Sequence, residues 1–455
     1  MIFSQSKYIR VRNFSMILCF LFLAYPAYGI KVTEVITQKG IKAWLVEDKS
    51  VPIISLKFAF KTGGTAYDPV GKEGLAQTIS AMLDEGAGNL NSQEFQLKLK
   101  KTTARLQFSA TLDKFRGSLT TLRVNKRESF RLLSLIINKP RFDSKPLRRI
   151  RSQLISNIKR NAKDPGAIAS KTWYKVAFPK HPYGRSSDGK IASIKSINKQ
   201  DLQNYMGRHI TRNSLLVAAA GDISPKELSV YLDWIFGNLP LKGKSQKLAD
   251  VIPNTMGQLI VVDYKIPQSI VVFGHAALKR DHPDWYIALV MNHILGGGGF
   301  SSRLMSEVRE KRGLAYSVYS YLNPFDHSAL YMGRVASGNK RVNQSIKIIR
   351  EEWKKFVQNG AADSEIIAAK TYLNGSFPLR LTSTRRISDL LLAMQVNNLG
   401  RHYLERREQL INTVSKQDIK RVAKNILSEE NLTFVVVGQP KGIKLVSGRT
   451  NKLFE

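Results

Sequence analysis

Two stretches of the chain repeat the same order of polar and apolar positions. In the first, the segment Ser196–Leu202 opens an apolar period typical of a helix, and the apolar run Leu215–Ala220 follows and ends at a glycine. In the second, Thr413–Ile419 opens the same helical period, and Leu432–Val437 again ends at a glycine. Each stretch places a short polar residue before the helix and β-forming residues after it, which predicts a capped helix followed by a buried strand.

The beginnings of the two halves also correspond. Strand-like segments at Ile53–Phe60 and Ser269–Phe273 are each followed by a polar loop and a helical pattern, at 74–83 and 285–295. Strands therefore cluster early in each half and long helices later, which favours an α+β fold with two tandem homologous domains. We predict an N-terminal domain at 30–241, a linker at 242–257 and a C-terminal domain at 258–455.

The first 29 residues have the layout of a secretory signal peptide. A basic start precedes the apolar run Met16–Ala24, and the small residues Ala27 and Gly29 precede a cleavage point before Ile30. We predict export to the periplasm with cleavage; the alternative is an uncleaved anchor that tethers the protein to the membrane. Cys19, the one cysteine of the chain, lies in this segment, so disulfides, cysteine-bound metals and thiol catalysis are excluded from the remainder.

The charge is strongly unbalanced. The 455 residues carry a formal net charge of +36, while 43% of them are hydrophobic, which is enough for globular cores. Such a charge favours anionic lipid surfaces, acidic polypeptides or nucleic acid. Because no nucleic-acid-binding motif accompanies it, we predict no nucleic-acid partner and interpret the basic clusters as solvated helix faces, with association at an anionic membrane surface as the alternative.

The segment Gly296–Ser320 (GGGGFSSRLMSEVREKRGLAYSVYS), together with the GKEGLA sequence at 71–76, resembles the insulinase/pitrilysin-type metallopeptidases. The resemblance extends over residues 30–440 and is closest to the short two-domain bacterial and mitochondrial-processing-peptidase branch. It implies two homologous domains, each a mainly antiparallel sheet packed against helices, which together form half of a clamshell around the substrate.

Active members of that family carry an H-x-x-E-H helix in which two histidines bind Zn²⁺ and a glutamate polarises the zinc-bound water. The two histidine positions correspond here to Gln77 and Ala81, and the glutamate position to Ser80. A distant glutamate ligand corresponds to Asn157, 76 residues after Ala81. Neutral amides are poor zinc ligands and alanine has no donor atom, so we predict that this chain holds no metal and no cofactor of its own.

No replacement catalytic centre is visible in the sequence. The densest histidine cluster, His275 and His282 with Asp281 and Asp284, is a weak candidate for a metal site. No G-x-S-x-G nucleophile elbow occurs in the chain. We therefore interpret the first domain as catalytically silent.

The second half keeps residues that the resemblance makes functional. In active family members a related arginine and tyrosine face the zinc, and they correspond here to Arg309 and Tyr316. The tyrosine would donate to the oxyanion of the tetrahedral intermediate, and the arginine would hold a substrate carbonyl. The related glycine-rich loop of mitochondrial processing peptidase handles substrate, and its counterparts here are Gly296, Gly297, Gly298, Gly299 and Phe300. A helix is predicted to begin at Ser302 and to end near Gly313. The charges at Arg303, Glu307 and Arg312 are assigned to solvation of this helix.

Together these features predict a zinc-less subunit of a periplasmic insulinase-family peptidase. It would bind unfolded peptides at a sheet edge and supply Arg309 and Tyr316 in trans to a homologous partner that carries H-x-x-E-H and the zinc. The alternatives are a peptide-binding or scaffold protein without a catalytic partner, and a zinc endopeptidase in its own right, against which the residues argue. The sequence leaves the substrate, the partner and the oligomeric state open.

Overall fold

The structure, a computed structural model, describes residues 30–443. The predicted signal peptide lies outside these residues, as does the C-terminal segment 444–455. Within the described part of the chain, no helix combines the length and the apolarity that crossing a bilayer requires.

The first half folds around a six-stranded sheet. Its strands are β1 (Thr33–Ile36), β2 (Lys42–Glu47), β3 (Ile53–Phe60), β4 (Arg105–Ala110), β5 (Phe115–Leu122) and β6 (Leu215–Gly221). They lie in the order β1-β2-β6-β3-β5-β4, and only the β2–β6 pairing is parallel. The central strand β3 is apolar at nearly every position because both faces of the sheet are covered there.

The second half repeats this sheet with one strand fewer. Its strands are β7 (Leu259–Asp263), β8 (Gln268–Ala276), β9 (Ala315–Pro324), β10 (Ala329–Gly338) and β11 (Thr433–Gly438). The order β7-β11-β8-β10-β9 matches β2-β6-β3-β5-β4 position by position, and the β7–β11 pairing is again the parallel one. The predicted α+β fold with mainly antiparallel sheets is confirmed.

One packing detail shows how closely the two sheets correspond. Gly117 lies opposite Phe58 on the neighbouring strand, and Gly333 lies opposite Phe273 in the same way. A Cβ atom added at either glycine would fall 2.1 Å from the ring of its partner phenylalanine. Each phenylalanine ring therefore occupies the space above a glycine, and the two halves share this packing arrangement.

Helices cover both sheets. Those before the segment 242–257 are α1 (Leu75–Met82), α2 (Ser92–Lys101), α3 (Lys126–Asn138), α4 (Ser144–Asn161), α5 (Pro165–Ala177), α6 (Ile191–Ser196), α7 (Lys199–His209) and α8 (Pro225–Phe236). Those after it are α9 (Trp285–Asn292), α10 (Val342–Asn359), α11 (Asp363–Gly375), α12 (Thr384–Val396), α13 (Tyr403–Asn412) and α14 (Lys416–Ile426). The segment 242–257 itself contains neither helix nor strand.

The capped helices predicted from the repeat are present. Asn198 accepts the backbone N–H of Asp201 at the start of α7, and Ser415 accepts that of Asp418 at the start of α14. In both cases the aspartate side chain bonds back to the N–H of the cap residue. These reciprocal bonds are capping boxes, which fix the first turn of each helix.

Two equivalent helices are exchanged between the halves. Helix α5 of the first half packs on β8 and β11, and α12 of the second half packs on β3 and β6. The indole N–H of Trp173 on α5 donates to the carbonyl oxygen of Thr433 at 3.1 Å. The side-chain amide of Gln395 on α12 donates to the carbonyl oxygen of Val217 at 2.6 Å. Each sheet is therefore covered in part by a helix from the other half.

Candidate active-site remnant and arginine–tyrosine cluster

Helix α1 begins at a turn that a buried carboxylate holds in place. The buried carboxylate of Asp68 accepts the backbone N–H groups of Gly74 and Ala76 at 2.8 and 3.0 Å. Gly74 has a φ of +92°, and a Cβ there would lie 2.6 Å from the side chain of Ile194. The turn therefore requires glycine, and it fixes the direction in which α1 leaves the sheet.

The polar side chains of α1 are engaged with the backbone. The Gln77 amide donates a 3.1 Å hydrogen bond to the carbonyl oxygen of Ala110, at the end of edge strand β4. The Ser80 hydroxyl donates to the carbonyl oxygen of Gln77, one turn earlier, at 2.8 Å. Ala81 packs against the core of the first domain. These residues provide one neutral amide, one hydroxyl and one methyl group, a donor set that does not fit zinc.

The fourth position of the lost site lies on the helix that packs against α1. Asn157 is half-buried on α4, where Leu154 and Ile158 pack into the same core. The structure thus brings α1 and α4 together as the resemblance implies. Among residues 30–443, no group of three or more His, Cys, Asp and Glu side chains is arranged to hold a metal ion.

The carboxylates at the end of α1 already have partners. Glu85 forms an ion pair with Arg149 of α4 and accepts the hydroxyl of Ser92 at 2.7 Å. Burial raises the pKa of the neighbouring Asp84, and the charge of Glu85 adds to that effect. This ion pair, which the sequence pattern did not indicate, ties the segment after α1 to α4.

The glycine-rich loop is held by unusual helical turns. Residues His293–Gly297 and Met305–Glu310 adopt π-helical hydrogen bonding on either side of it, where α-helix was predicted. Gly296 is buried, and a Cβ there would lie 2.3 Å from the hydroxyl oxygen of Ser320 on β9. The close approach at Gly296 is therefore made by this chain's own sheet. Gly297, Gly299 and Phe300 are exposed, and Gly298 is half-buried.

The structure brings Phe300, Arg309 and Tyr316 into one cluster. The guanidinium carbon of Arg309 lies 4.7 Å from the centre of the Phe300 ring and 4.7 Å from the centre of the Tyr316 ring. Both rings are largely in solvent, with exposed fractions of 63% for Phe300 and 80% for Tyr316. Stacking between two aromatic rings holds the flat guanidinium group in place without using its N–H donors.

Those donors remain available. Within the part of the chain that the structure describes, the Arg309 guanidinium makes no hydrogen bond and no ion pair. The neighbouring Arg312 and Lys311 both pair with Glu307 at 2.5 Å, as expected for a solvated helix surface. Arg309 is thus a cation fixed in position at the surface with its hydrogen-bonding capacity unused.

The assignment of Arg303 to helix solvation was wrong. Its guanidinium group makes a bidentate ion pair with Glu365 at 2.7 and 2.6 Å. It also donates to the carbonyl oxygen of Gly360 at 3.0 Å and stacks over the ring of Phe356. Arginine forms such bidentate pairs because its fork matches a carboxylate. Arg303 therefore anchors the helix after the glycine-rich loop to α11.

The weak histidine cluster is not a site in the structure. His275 is buried, with Nδ1 at 2.6 Å from the carbonyl oxygen of Ala276 and Nε2 accepting the indole N–H of Trp353 at 3.0 Å. Burial lowers the pKa of His275 to about 4. Asp284 is bound to Arg421 at 2.6 and 2.9 Å. The histidine is a core residue with both nitrogens engaged.

The predicted zinc-site positions of α1 lie beside the first sheet, whereas the arginine–tyrosine pair lies at the second sheet. Helix α1 packs beside β4, an edge strand of the first sheet, whereas Tyr316 lies on β9, the corresponding edge strand of the second. The contribution of Phe300 to the cluster could be suspected from an exposed aromatic residue after four glycines. The stacking itself depends on the fold of the loop, which the sequence pattern does not specify.

Comparisons with known proteins agree with this description. A family model described as the peptidase M16 inactive domain matches residues 196–373, which include the glycine-rich loop and the arginine–tyrosine pair. The non-peptidase homolog YmxG of Helicobacter pylori is 25% identical over 417 residues, covering 89% of this chain and 94% of that protein. The uncharacterized zinc protease YmxG of Bacillus subtilis is 23% identical over 401 residues, covering 86% of this chain and 95% of that protein.

A solved structure gives the same result. The crystal structure of a peptidase M16 inactive domain from Pseudomonas fluorescens superposes with a TM-score of 0.85 at 27% sequence identity, covering 91% of this chain and 99% of that one. The predicted relationship to the insulinase/pitrilysin-type peptidases is confirmed. Over residues 196–373 the chain is thus similar to the peptidase M16 inactive domain, and its residues on α1 and α4 do not fit a zinc site.

Proposed function

We propose that this chain is the non-catalytic subunit of a heteromeric zinc peptidase of its own family. It binds unfolded peptides and supplies Arg309 and Tyr316 to the active site of a homologous partner that carries H-x-x-E-H and the zinc ion. It reaches the periplasm through the segment 1–29, which is cleaved on export; N-terminal sequencing of the exported protein tests that step.

The proposal rests on the contrast between the zinc-site positions, which have no zinc ligands, and the arginine–tyrosine cluster, which is retained. The α1 positions of the zinc site hold Gln77, Ser80 and Ala81, which cannot bind the metal, while Arg309 is held between two aromatic rings with its donors free. A chain that had lost its whole active site would have no use for an exposed arginine fixed by two exposed rings. The retained cluster is therefore best explained by a reaction whose metal lies in another subunit.

The chemistry of the cluster suits peptide hydrolysis. Attack of water on a peptide carbonyl places negative charge on the carbonyl oxygen, and a phenol O–H positioned at that oxygen stabilises it. The guanidinium group can hold a second carbonyl of the peptide through its fork of N–H donors. The Tyr316 side chain is 80% exposed, so the face of a partner subunit can reach it.

The edge strand β9 provides a place for the peptide backbone. It is an edge of the second sheet within the described residues, and Tyr316, Tyr319 and Tyr321 along it are all exposed. Extended peptides bind to such edges by adding a strand, with main-chain hydrogen bonds giving affinity independent of sequence. The cluster then lies at one end of the bound strand.

Mixing this chain with the zinc-bearing homologue from the same genome tests the proposal. Peptidase activity of the mixture on an unstructured peptide should far exceed that of either protein alone. Tyr316→Phe removes only the phenol donor, so the assembly measured by size-exclusion chromatography should persist while kcat falls by roughly 10²–10³-fold. The matched control is Tyr319→Phe, an exposed tyrosine on the same strand, which should leave kcat unchanged.

Two results would contradict the proposal. If the mixture is no more active than the zinc subunit alone but this chain still binds the peptide, the protein is a peptide-binding or scaffold protein. If Tyr316→Phe and Tyr319→Phe are both as active as the unmodified mixture, the tyrosine is a surface residue without a role in turnover.

A further inference from the structure

A polar cavity lies where equivalent hairpins of the two halves meet. Its volume is about 470 Å³. The β4–β5 turn, Thr111–Lys114, forms one wall, and the β9–β10 turn, with Asn323–Asp326, forms the facing wall. Residues 279–281, after β8, and 396–398, after α12, complete the lining. A ligand in this cavity would touch both halves of the chain.

Several of the charges that line the cavity are already paired. Lys114 forms a buried ion pair with Asp326. Asp113 accepts the phenol O–H of Tyr183 and the backbone N–H of Asp326, the latter at 3.1 Å. Lys279 pairs with Asp250, outside the cavity, at 2.6 Å. The two ion pairs contribute little net charge to the cavity, whereas the partners of Asp113 are uncharged and do not balance its carboxylate.

Arg116 has no such partner. Its guanidinium makes no hydrogen bond or ion pair with any residue in the range 30–443. The carboxylates whose charge acts on it are Asp389, Asp326 and Asp113, and each is bound to another group; Asp389 pairs with Lys57 at 2.8 Å. Arg116 is exposed at the cavity wall, and desolvation by the surrounding wall lowers the pKa of its guanidinium group.

Lys61 adds a second free cation to the same wall. It directly follows β3, and its ammonium group also lacks a hydrogen-bond partner among the described residues. Arg280, on the opposite side, donates one hydrogen bond to the phenol of Tyr286 at 3.0 Å and keeps its remaining donors. The carboxylate of Asp281 is the one that lines the cavity without a partner in the described structure. Outside the two ion pairs, Lys61, Arg116 and Arg280 face the carboxylates of Asp113 and Asp281, so the remaining charge of the lining is positive by one.

We propose that this cavity binds the oxyanion of a small molecule, a carboxylate or a phosphate, through Arg116 and Lys61. Arg116 lies opposite Ala59 in the β3–β5 pairing, so Lys61, two residues after Ala59, lies on the same face of the sheet. A guanidinium group and an ammonium group on one face of a cavity present several N–H donors to carboxylate or phosphate oxygens. This inference is independent of the proposed function because it concerns neither the α1 remnant nor the arginine–tyrosine cluster. A bound anion would join the two halves at their junction.

Isothermal titration of the exported form of the protein, with inorganic phosphate and with citrate at constant ionic strength, tests the proposal. At least one of the two anions should bind saturably at one site per chain, and which one binds distinguishes a phosphate from a carboxylate ligand. Arg116→Gln should weaken that binding by about tenfold or more, since a hydrogen bond to a charged group is lost. Arg105→Gln, on exposed strand β4 outside the cavity, is the matched control and should bind as the unmodified protein does.

A second variant covers the case in which Arg116→Gln fails to fold, as judged by circular dichroism. Lys61 is exposed and makes no side-chain contact that folding requires, so Lys61→Gln should fold and should also bind the anion more weakly. The proposal is overturned if neither anion binds saturably. It is equally overturned if folded Arg116→Gln or, in its absence, Lys61→Gln binds as tightly as the Arg105→Gln control.

Discussion

The side chain of Gln77 donates a hydrogen bond to the carbonyl oxygen of Ala110, where an active relative would direct a histidine to zinc. The bond joins α1 to the end of the edge strand β4 without a metal. At this position the chain therefore has a residue that contributes to the structure in place of a metal ligand.

The first prediction concerns metal content. The purified protein should hold no stoichiometric zinc by elemental analysis. A triple variant with Gln77→His, Ser80→Glu and Ala81→His should still bind zinc weakly. Asn157 supplies no carboxylate, and zinc sites of this type need three protein ligands. Adding Asn157→Glu to the triple variant should increase zinc affinity. About one tightly bound zinc ion per unmodified chain would contradict this prediction.

The second prediction concerns Phe300. Phe300→Leu keeps an apolar residue in the loop but removes one of the two rings that hold Arg309. Cation–π contacts of this kind contribute about 0.5–2 kcal/mol, so kcat/KM of the mixed peptidase should fall by roughly 2–30-fold, mainly through KM. Trp234→Leu, another exposed aromatic residue on a distant helix, serves as the control. Equal loss in the two variants would show that the stacking does not position the arginine.

The third prediction concerns the glycine-rich loop. Gly296→Ala would place a methyl group 2.3 Å from the hydroxyl oxygen of Ser320 and 2.9 Å from the side chain of Leu304. Overpacking of this kind costs about 1–3 kcal/mol, which urea unfolding can measure. Gly207→Ala in α7 meets no atom within 4 Å and should instead gain about 0.5–1 kcal/mol. A Gly296→Ala protein of unchanged stability would mean that the π-helical turn shifts easily.

The fourth prediction concerns pH. Burial lowers the pKa of His275 to about 4, whereas the residue titrates near 6.5 in the unfolded chain. Between these values the unfolded state binds the additional proton, so the free energy of unfolding should fall as the pH drops from about 6.5 towards 4. The loss from this residue should approach about 2–3 kcal/mol at the lower end. His209, whose pKa burial also lowers to about 4, contributes in the same direction.

A substitution isolates this effect. His275→Gln removes the titrating group, so the stability of the variant should depend less steeply on pH in this window, although its stability at neutral pH is lower. Identical slopes in the unmodified protein and in His275→Gln would contradict the prediction, because they would show that the ring binds protons equally in the folded and unfolded states.

The duplicated fold could be predicted because its signals are local. The cap residues Asn198 and Ser415, each followed three residues later by an aspartate, precede matching helices and strands. The absence of a zinc site could be predicted for the same reason, since it depends on which residues occupy one helical face of α1. Local patterns of this kind survive in a single sequence.

Other features could not be predicted because they depend on distant contacts. The apolar stripe of α5 is the same whether it packs on its own sheet or on the other one, so the position of Trp173 against Thr433 is set by the fold as a whole. The ion pair of Arg303 with Glu365 joins residues 62 positions apart. Arg309, which stacks with Phe300, lies in a π-helical turn, a rare conformation that the apolar pattern of the sequence does not distinguish from an α-helix.

The exchange of α5 and α12 bears on how this chain arose. The two helices occupy equivalent places in the repeat, and each covers the sheet of the other half. Expressed alone, either half would lack the helix that covers its sheet in the full chain. The present protein has the architecture of a domain-swapped dimer whose subunits were fused into one polypeptide, so separate expression of either half should yield an insoluble or self-associating fragment.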